Sequence, residues 1–330
     1  MSGVAHAGSM LVGAAGWDSA AGEPDPRPQR VVPACWPLPE LRTDRAERRG
    51  ELVVGPEQLN PGGTLWGGAG LSAAIAVAQD VLDRAVLWAT VQYVSPIVAG
   101  ERLELTVQTG GRGRRLSQAE VRGTVDGRLA LLAVGTFGAR AGGAGAAGGA
   151  GAVDGAGAVD GADGAGGADG PGRGAGQVPV PRPPAGTPLP EFCAERDEPQ
   201  LRTGMNAHFE QRWVPPGAKL AGSPAAAGRA LWLRARRPGM LSAAMLAIMA
   251  DFAPAALLDV YDAPMIAVSL DNSIRIGTPA DPAGSGWVLI DTRVESLVGG
   301  VAHVAGRLFA QDGRLLATAS QSTLVRPLGR

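Results

Sequence analysis

Leu241-Ser242-Ala243-Ala244-Met245-Leu246-Ala247-Ile248-Met249-Ala250-Asp251-Phe252 is the stretch on which the fold turns. It carries no charge before Asp251, so as a helix it is apolar nearly all round and must be wrapped by other elements. The four residues that open it return elsewhere: Leu71-Ser72-Ala73-Ala74 opens an earlier apolar run. A second motif recurs in the same order. Asp126-Gly127-Arg128-Leu129 leads into the last strand of the first half, and Asp312-Gly313-Arg314-Leu315 into the last strand of the second. Each copy reads helix first, then several strands, then a closing strand. A repeat this long means duplicated domains, not a solenoid of short units. With the two Asp-Gly turns aligned, Gln321 has Gly135 as its mate, so a polar side chain stands in one copy only.

Working outward, residues 31–140 form the first unit. Gly70 to Leu82 is its helix, with Leu71, Ile75, Val77, Ala78 and Val81 apolar. Strands follow over Val86 to Val94, Arg102 to Gln108, Ser117 to Val125 and Leu129 to Phe137, where Leu103, Leu105 and Val107 alternate with polar neighbours. Residues 198–330 form the second unit. Ala230 to Arg236 is a strand and Met240 to Leu258 the helix; Ile266 to Ile276, Trp287 to Glu295, Val301 to Ala310 and Leu315 to Val325 are strands. One apolar helix and four antiparallel strands, twice, is an α+β plan. A helix wrapped by a curved antiparallel sheet is a hotdog, and two tandem copies make a double hotdog. Residues 1–30 read as a disordered head. Residues 141–197, rich in Gly, Ala, Asp and Pro, read as a flexible linker that cannot bury enough apolar surface to order itself.

The formal net charge of −1 gives no bulk attraction to nucleic acid. Cys35 and Cys193 are the only cysteines, which argues against a disulfide framework and fits a reducing compartment. Ser9 to Gly16 is too short and too weakly apolar for a signal peptide. The longest apolar run holds Ser242, Asp251 and Pro254 and reads as a buried helix, not a membrane span. A cytoplasmic protein is expected.

Three polar positions stand out. Asp251 interrupts the apolar helix, where an unpaired buried carboxylate costs several kcal/mol; the alternative is a solvent-facing Asp serving a turn before Pro254. Gln321 shares a strand face with Ala317, Ala319 and Thr323, where a buried amide needs partners; the alternative is an exposed strand Gln. Ser269 alternates out of phase with Ile266, Val268, Leu270, Ile274 and Ile276, which favours a solvated face unless a bulge turns it inward. Gly67-Gly68 is too short for a nucleotide loop. It is a candidate for substrate binding, and either Arg112, Arg114 and Arg115 at a hairpin tip or Arg234, Arg236 and Arg237 near the second helix are candidates for holding phosphates; the alternative for such arginines is a solvated turn. His208 and His303 have no company suited to a catalytic triad or a metal site.

Met249-Ala250-Asp251-Phe252, Val268-Ser269-Leu270-Asp271-Asn272-Ser273 and Ala319-Ser320-Gln321, in that order, resemble the TesB-type acyl-CoA thioesterases of the double-hotdog superfamily. That family carries an Asp on its second helix, a Thr or Ser on the next strand and a Gln on the last, which correspond to Asp251, Ser269 and Gln321. Trp66-Gly67-Gly68 resembles the family's aromatic-Gly-Gly approach to its first helix, and Tyr93-Val94-Ser95-Pro96 its following strand end. The resemblance is to a divergent branch: Ala69 replaces a usual Gln, and Asn272-Ser273-Ile274-Arg275 replaces an aromatic strand. It implies acyl-CoA hydrolysis by a water held by Asp251, Ser269 and Gln321, with no metal and no cofactor beyond the CoA of the substrate. It also implies fatty acid metabolism and pairing of double hotdogs, without nucleic acid or membrane as partners. Two other readings remain: a non-catalytic hotdog binding an acyl thioester or a protein, and a hydratase-like hotdog enzyme.

Overall fold

The structure, a computed structural model, describes residues 30–31, 37–38, 41–138, 180–215, 228–237, 241–260, 265–278 and 286–327. Residues 1–29 of the expected head, residues 141–179 of the expected linker and the helix start at Met240 lie outside the described residues.

In chain order the elements are β1 (Arg30–Val31), β2 (Arg42–Asp44), β3 (Arg49–Val53), α1 (Gly67–Leu82), β4 (Ala85–Tyr93), β5 (Arg102–Arg112), β6 (Leu116–Val125) and β7 (Arg128–Gly138). Then come β8 (Phe209–Trp213), β9 (Gly228–Ala235), α2 (Ala243–Ala250), β10 (Met265–Ser269), β11 (Asp271–Ile276), β12 (Val288–Val298), β13 (Val301–Ala310) and β14 (Leu315–Pro327). The described strands form one sheet in the order β1-β2-β3-β5-β6-β7-β4-β11-β14-β13-β12-β9-β8, with β10 paired to β14. The repeat is visible in that order. After α1 the strands run β5-β6-β7-β4; after α2 they run β12-β13-β14-β11. The two halves meet at equivalent strands, β4 and β11, which pair antiparallel from Gln92↔Asp271 to Trp88↔Arg275.

The alternation read in the sequence is what buries the strands: Leu103, Leu105 and Val107 are all but inaccessible. Both helices lie in one core with the inner faces of both halves. They cross where Gly68 of α1 meets α2. A Cβ at Gly68 would stand 2.7 Å from the Ala247 carbonyl oxygen and 2.8 Å from Ile248 Cα, so only glycine permits this approach. Trp66 and Phe252 stack beside the crossing, ring centroids 4.8 Å apart.

Four sequence expectations change. First, α1 begins at Gly67, not Gly70; the glycines that looked like breakers serve the crossing. The repeated Leu-Ser-Ala-Ala therefore plays two roles. Ser72 is buried inside α1, whereas Ser242 caps α2, its Oγ accepting from Met245 N at 3.1 Å. Second, the helix expected over 240–258 ends at Ala250, and a tighter 3-10 stretch, Ala253–Asp259, follows. Pro254 at its start offers no N–H to continue the α ladder. Third, the strand expected over 266–276 is two strands. Ser269 pairs with Thr323 and Ser273 with Ser320, so β10–β11 carries one more residue than β14 between the same points. That bulge reverses the alternation: Ile266, Val268 and Leu270 face outward, and Ile274 is fully buried. Fourth, the end of the expected 141–197 linker is packed structure. Cys193 is buried with Trp232 and Trp287, and Trp232 Nε1 donates to the Pro188 carbonyl at 3.0 Å. Proline-rich composition hid a segment held mostly by side chains.

Among the described residues no helix is long and apolar enough to cross a membrane.

Candidate active site

Asp251 ends α2 as its C-cap and is 8% exposed. Its carboxylate points across the interface to the start of α1, where Oδ2 accepts from Gly68 N at 2.7 Å. The α1 N-cap residue, Trp66, offers no side-chain cap, so this carboxylate from the other half serves the positive end of the helix. Oδ1 accepts from Asn272 Nδ2 at 3.2 Å and, more distantly, from Ser269 Oγ at 3.5 Å. Gln321 continues the chain: its Nε2 donates to Ser269 Oγ at 3.1 Å and to Thr323 Oγ1 at 3.2 Å. Asp251, Ser269 and Gln321, scattered over three elements in sequence, are therefore brought into one hydrogen-bonded cluster. The bulge turns Ser269 into it, and β14 supplies Gln321 from its buried face, 1% exposed.

Burial pushes the Asp251 carboxyl up from 3.8 to about 7, against the opposing pull of the Gly68 N–H, Ser269, Gln321 and Asn272. Around it, Gln321 Oε1, Asn272 Oδ1 and Tyr93 Oη make no hydrogen bond of ordinary geometry among the described residues, although the Asn272 side chain lies close to the Tyr93 hydroxyl. Unused donors and acceptors converging on one buried carboxylate are a binding-site signature.

Residues 55–138 match the acyl-CoA thioesterase N-terminal domain, and residues 184–325 match the acyl-CoA thioesterase C-terminal domain. The structure of a candidate thioesterase from Novosphingobium aromaticivorans is 31% identical, with 87% of this chain and 98% of that one covered and a TM-score of 0.65. The chain belongs to the acyl-CoA thioesterase family. It is a thioester hydrolase, and the family's substrates are acyl-CoAs. Two further structures share the fold. The TesB protein of Mycobacterium avium subspecies paratuberculosis is 19% identical, covering 89% of this chain and 98% of its own, at a TM-score of 0.61. A conserved protein of Alicyclobacillus acidocaldarius with a hotdog fold is 19% identical, covering 86% and 94%, at a TM-score of 0.60. Comparison with curated proteins finds no match.

In this thioesterase both domain matches supply the cluster. The N-terminal match contributes Gly67, Gly68 and Tyr93, and the C-terminal match contributes Asp251, Ser269, Asn272 and Gln321. Gly67 and Gly68 both touch it: a Cβ on Gly67 would lie 3.0 Å from Asp251 Oδ2. Of the second-helix arginines expected to hold phosphates, two are engaged otherwise. Arg234 pairs with Glu210 at 2.6 Å and lies over the Trp287 ring, and Arg236 pairs with Glu195 at 2.9 Å. Arg237 is exposed, and no contact links it to the cluster. The cause is Glu195 and Glu210, whose positions beside the β9 end no motif announced. His208 meets the Glu57 carbonyl at 3.1 Å and His303 is exposed on β13, so neither histidine joins Asp251.

Asn272 and Tyr93 are the residues that sequence reasoning missed. Asn272 looked like a departure from the family pattern, yet it is fully buried against Asp251. Correct parity through the bulge would have revealed it. Tyr93 comes from the other half, and only the β4–β11 pairing brings it near.

Proposed function

We propose that this thioesterase hydrolyses an acyl-CoA to the free acid and CoA by general-base activation of water, within a double hotdog. The repeated strand order and the β4–β11 join support that architecture. Asp251 takes a proton from the water as it attacks the thioester carbonyl; the C–S bond then breaks and the CoA thiolate leaves to be protonated. Ser269 and Gln321 orient the water, and the amide end of α1 lies toward the charge that develops on the carbonyl oxygen. The reading needs no cofactor, because CoA arrives with the substrate.

The observation that carries it is a carboxyl buried without a cation and raised to about 7. A base working near neutrality needs such a value. A different role for Asp251 has one observation in its favour. The 2.7 Å bond to Gly68 N also fits a carboxylate that merely caps α1. The pH profile separates the two. As a base, Asp251 must be ionised, so kcat/KM on an acyl-CoA panel, followed with a thiol reagent, is expected to rise tenfold per pH unit at low pH. It should level off above about 7. A profile flat from pH 5 to about 9 would leave Asp251 a structural cap only.

A further inference from the structure

Tyr93 closes β4, where its backbone N–H donates to the Leu270 carbonyl at the bulge, 3.0 Å away. The residue is half-buried, but its hydroxyl is buried and makes no hydrogen bond of ordinary geometry among the described residues, with the Asn272 side chain close by. A buried hydroxyl without a partner costs stability, and phenylalanine would fill the same space without that cost. The hydroxyl therefore has a use that the fold itself does not supply. Its surroundings indicate what the use is. A Cβ built on Gly67 would stand 3.0 Å from Tyr93 Oη and 3.0 Å from Asp251 Oδ2. Because residue 67 is glycine, the gap between the phenol and the carboxylate holds no side chain from the helix start. It also sits at the first residue of α1, where the helix favours negative charge.

We propose that Tyr93 is a catalytic residue whose hydroxyl donates a hydrogen bond to the thioester carbonyl oxygen as it becomes an oxyanion. This rests on the hydrolytic reading above. No proton is transferred by Tyr93; the O–H stays intact, and the only proton moved in the attack goes from water to Asp251. Burial first, and then the charge of Asp251, hold the phenol well above its ordinary 10, so it remains a donor at every working pH.

The test is Tyr93→Phe in the full chain, assayed beside wild type and Asp251→Asn. Loss of one oxyanion donor is expected to lower kcat by about 10²–10³-fold, with KM changed by less than about threefold. The kcat/KM midpoint should stay where it is in wild type, because Asp251 is untouched. The melting temperature should hold or rise, because the lost hydroxyl makes no hydrogen bond of ordinary geometry in the fold. A merely structural tyrosine would give the opposite pair, a lower melting temperature with kcat preserved, and that result overturns the proposal. Unchanged kcat in Tyr93→Phe, with Asp251→Asn inactive, removes Tyr93 and leaves the hydrolytic reading standing. Full activity in Asp251→Asn, or no turnover of any acyl-CoA by wild type, removes that reading and this proposal with it.

Discussion

Asp251→Asn is expected to lose turnover by about 10²–10⁴-fold and, at pH 8, to be more stable than wild type. The two effects share one cause. The folded carboxyl titrates at about 7 and the unfolded one at 3.8. Between those values the folded protein holds a proton that the unfolded chain has released, so stability falls as pH rises through that window and levels off above it. The span is on the order of 4 kcal/mol, at about 1.4 kcal/mol per unit. Asparagine has the same shape and no charge. Its carbonyl can still accept from Gly68 N. Its amide can meet Ser269 Oγ and the Asn272 Oδ1 that wild type leaves without a partner. Melts of both proteins at pH 5 and pH 8 decide the matter. The variant should lead modestly at the lower pH, where about a third of the span is already lost, and by several degrees more at the higher. Coincidence at both would mean that the carboxyl is not buried in solution as it is here.

Gly68→Ala is expected to damage the fold more than any other single methyl group added to α1. The new Cβ would stand 2.7 Å from Ala247 O and 2.8 Å from both Ile248 Cα and Asp251 Cβ. Two of those atoms are backbone, so no rotamer change relieves the contact and the helices must part. Overpacking usually costs about 1–3 kcal/mol, and a rigid contact belongs at or beyond the upper end. Parting also draws the Gly68 N–H from Asp251, so the surviving fraction should be nearly inactive. Gly70→Ala is the control. Its Cβ would meet side chains alone, Leu131 Cδ2 at 3.2 Å and, at ordinary contact, Tyr93 Cε1 at 3.7 Å and Leu65 Cδ2 at 3.9 Å. Alanine favours a helix over glycine by about 1 kcal/mol, so this variant should be close to neutral. Urea midpoints for the pair measure the difference; equal midpoints would show that the crossing is looser than described.

How much of this could be read from the letters depends on range. Val301 to Ala310 is a strand over the residues expected, because alternation of apolar and polar side chains is a local signal. Asp251 and Gln321 are legible because each breaks an apolar pattern; Ser269 comes through the family resemblance, since alternation alone puts it on a solvated face. What the letters hid are events between distant segments. One extra residue at Leu270 inverts a strand's faces, and nothing in Val268-Ser269-Leu270-Asp271 marks it. Gly67 and Gly68 look like breakers until α2 lies against them. Glu210 claims Arg234 only when β8 pairs with β9, and Glu195 claims Arg236 only after the end of the Pro-rich stretch has folded onto them. Tyr93 is an ordinary strand end until the other half of the chain supplies Asp251.

The β4–β11 join has a thermodynamic consequence. Two separate family matches invite the picture of two modules that melt independently. Yet unravelling either one would strip an inner strand of its neighbour and bare the helix face at the crossing. Calorimetry should therefore record a single endotherm, with van't Hoff and calorimetric enthalpies in agreement over the whole ordered chain. Two resolved peaks would mean that the seam contributes little to holding the halves together. On that expectation, the two units in the text of the gene product behave as one cooperative body in solution.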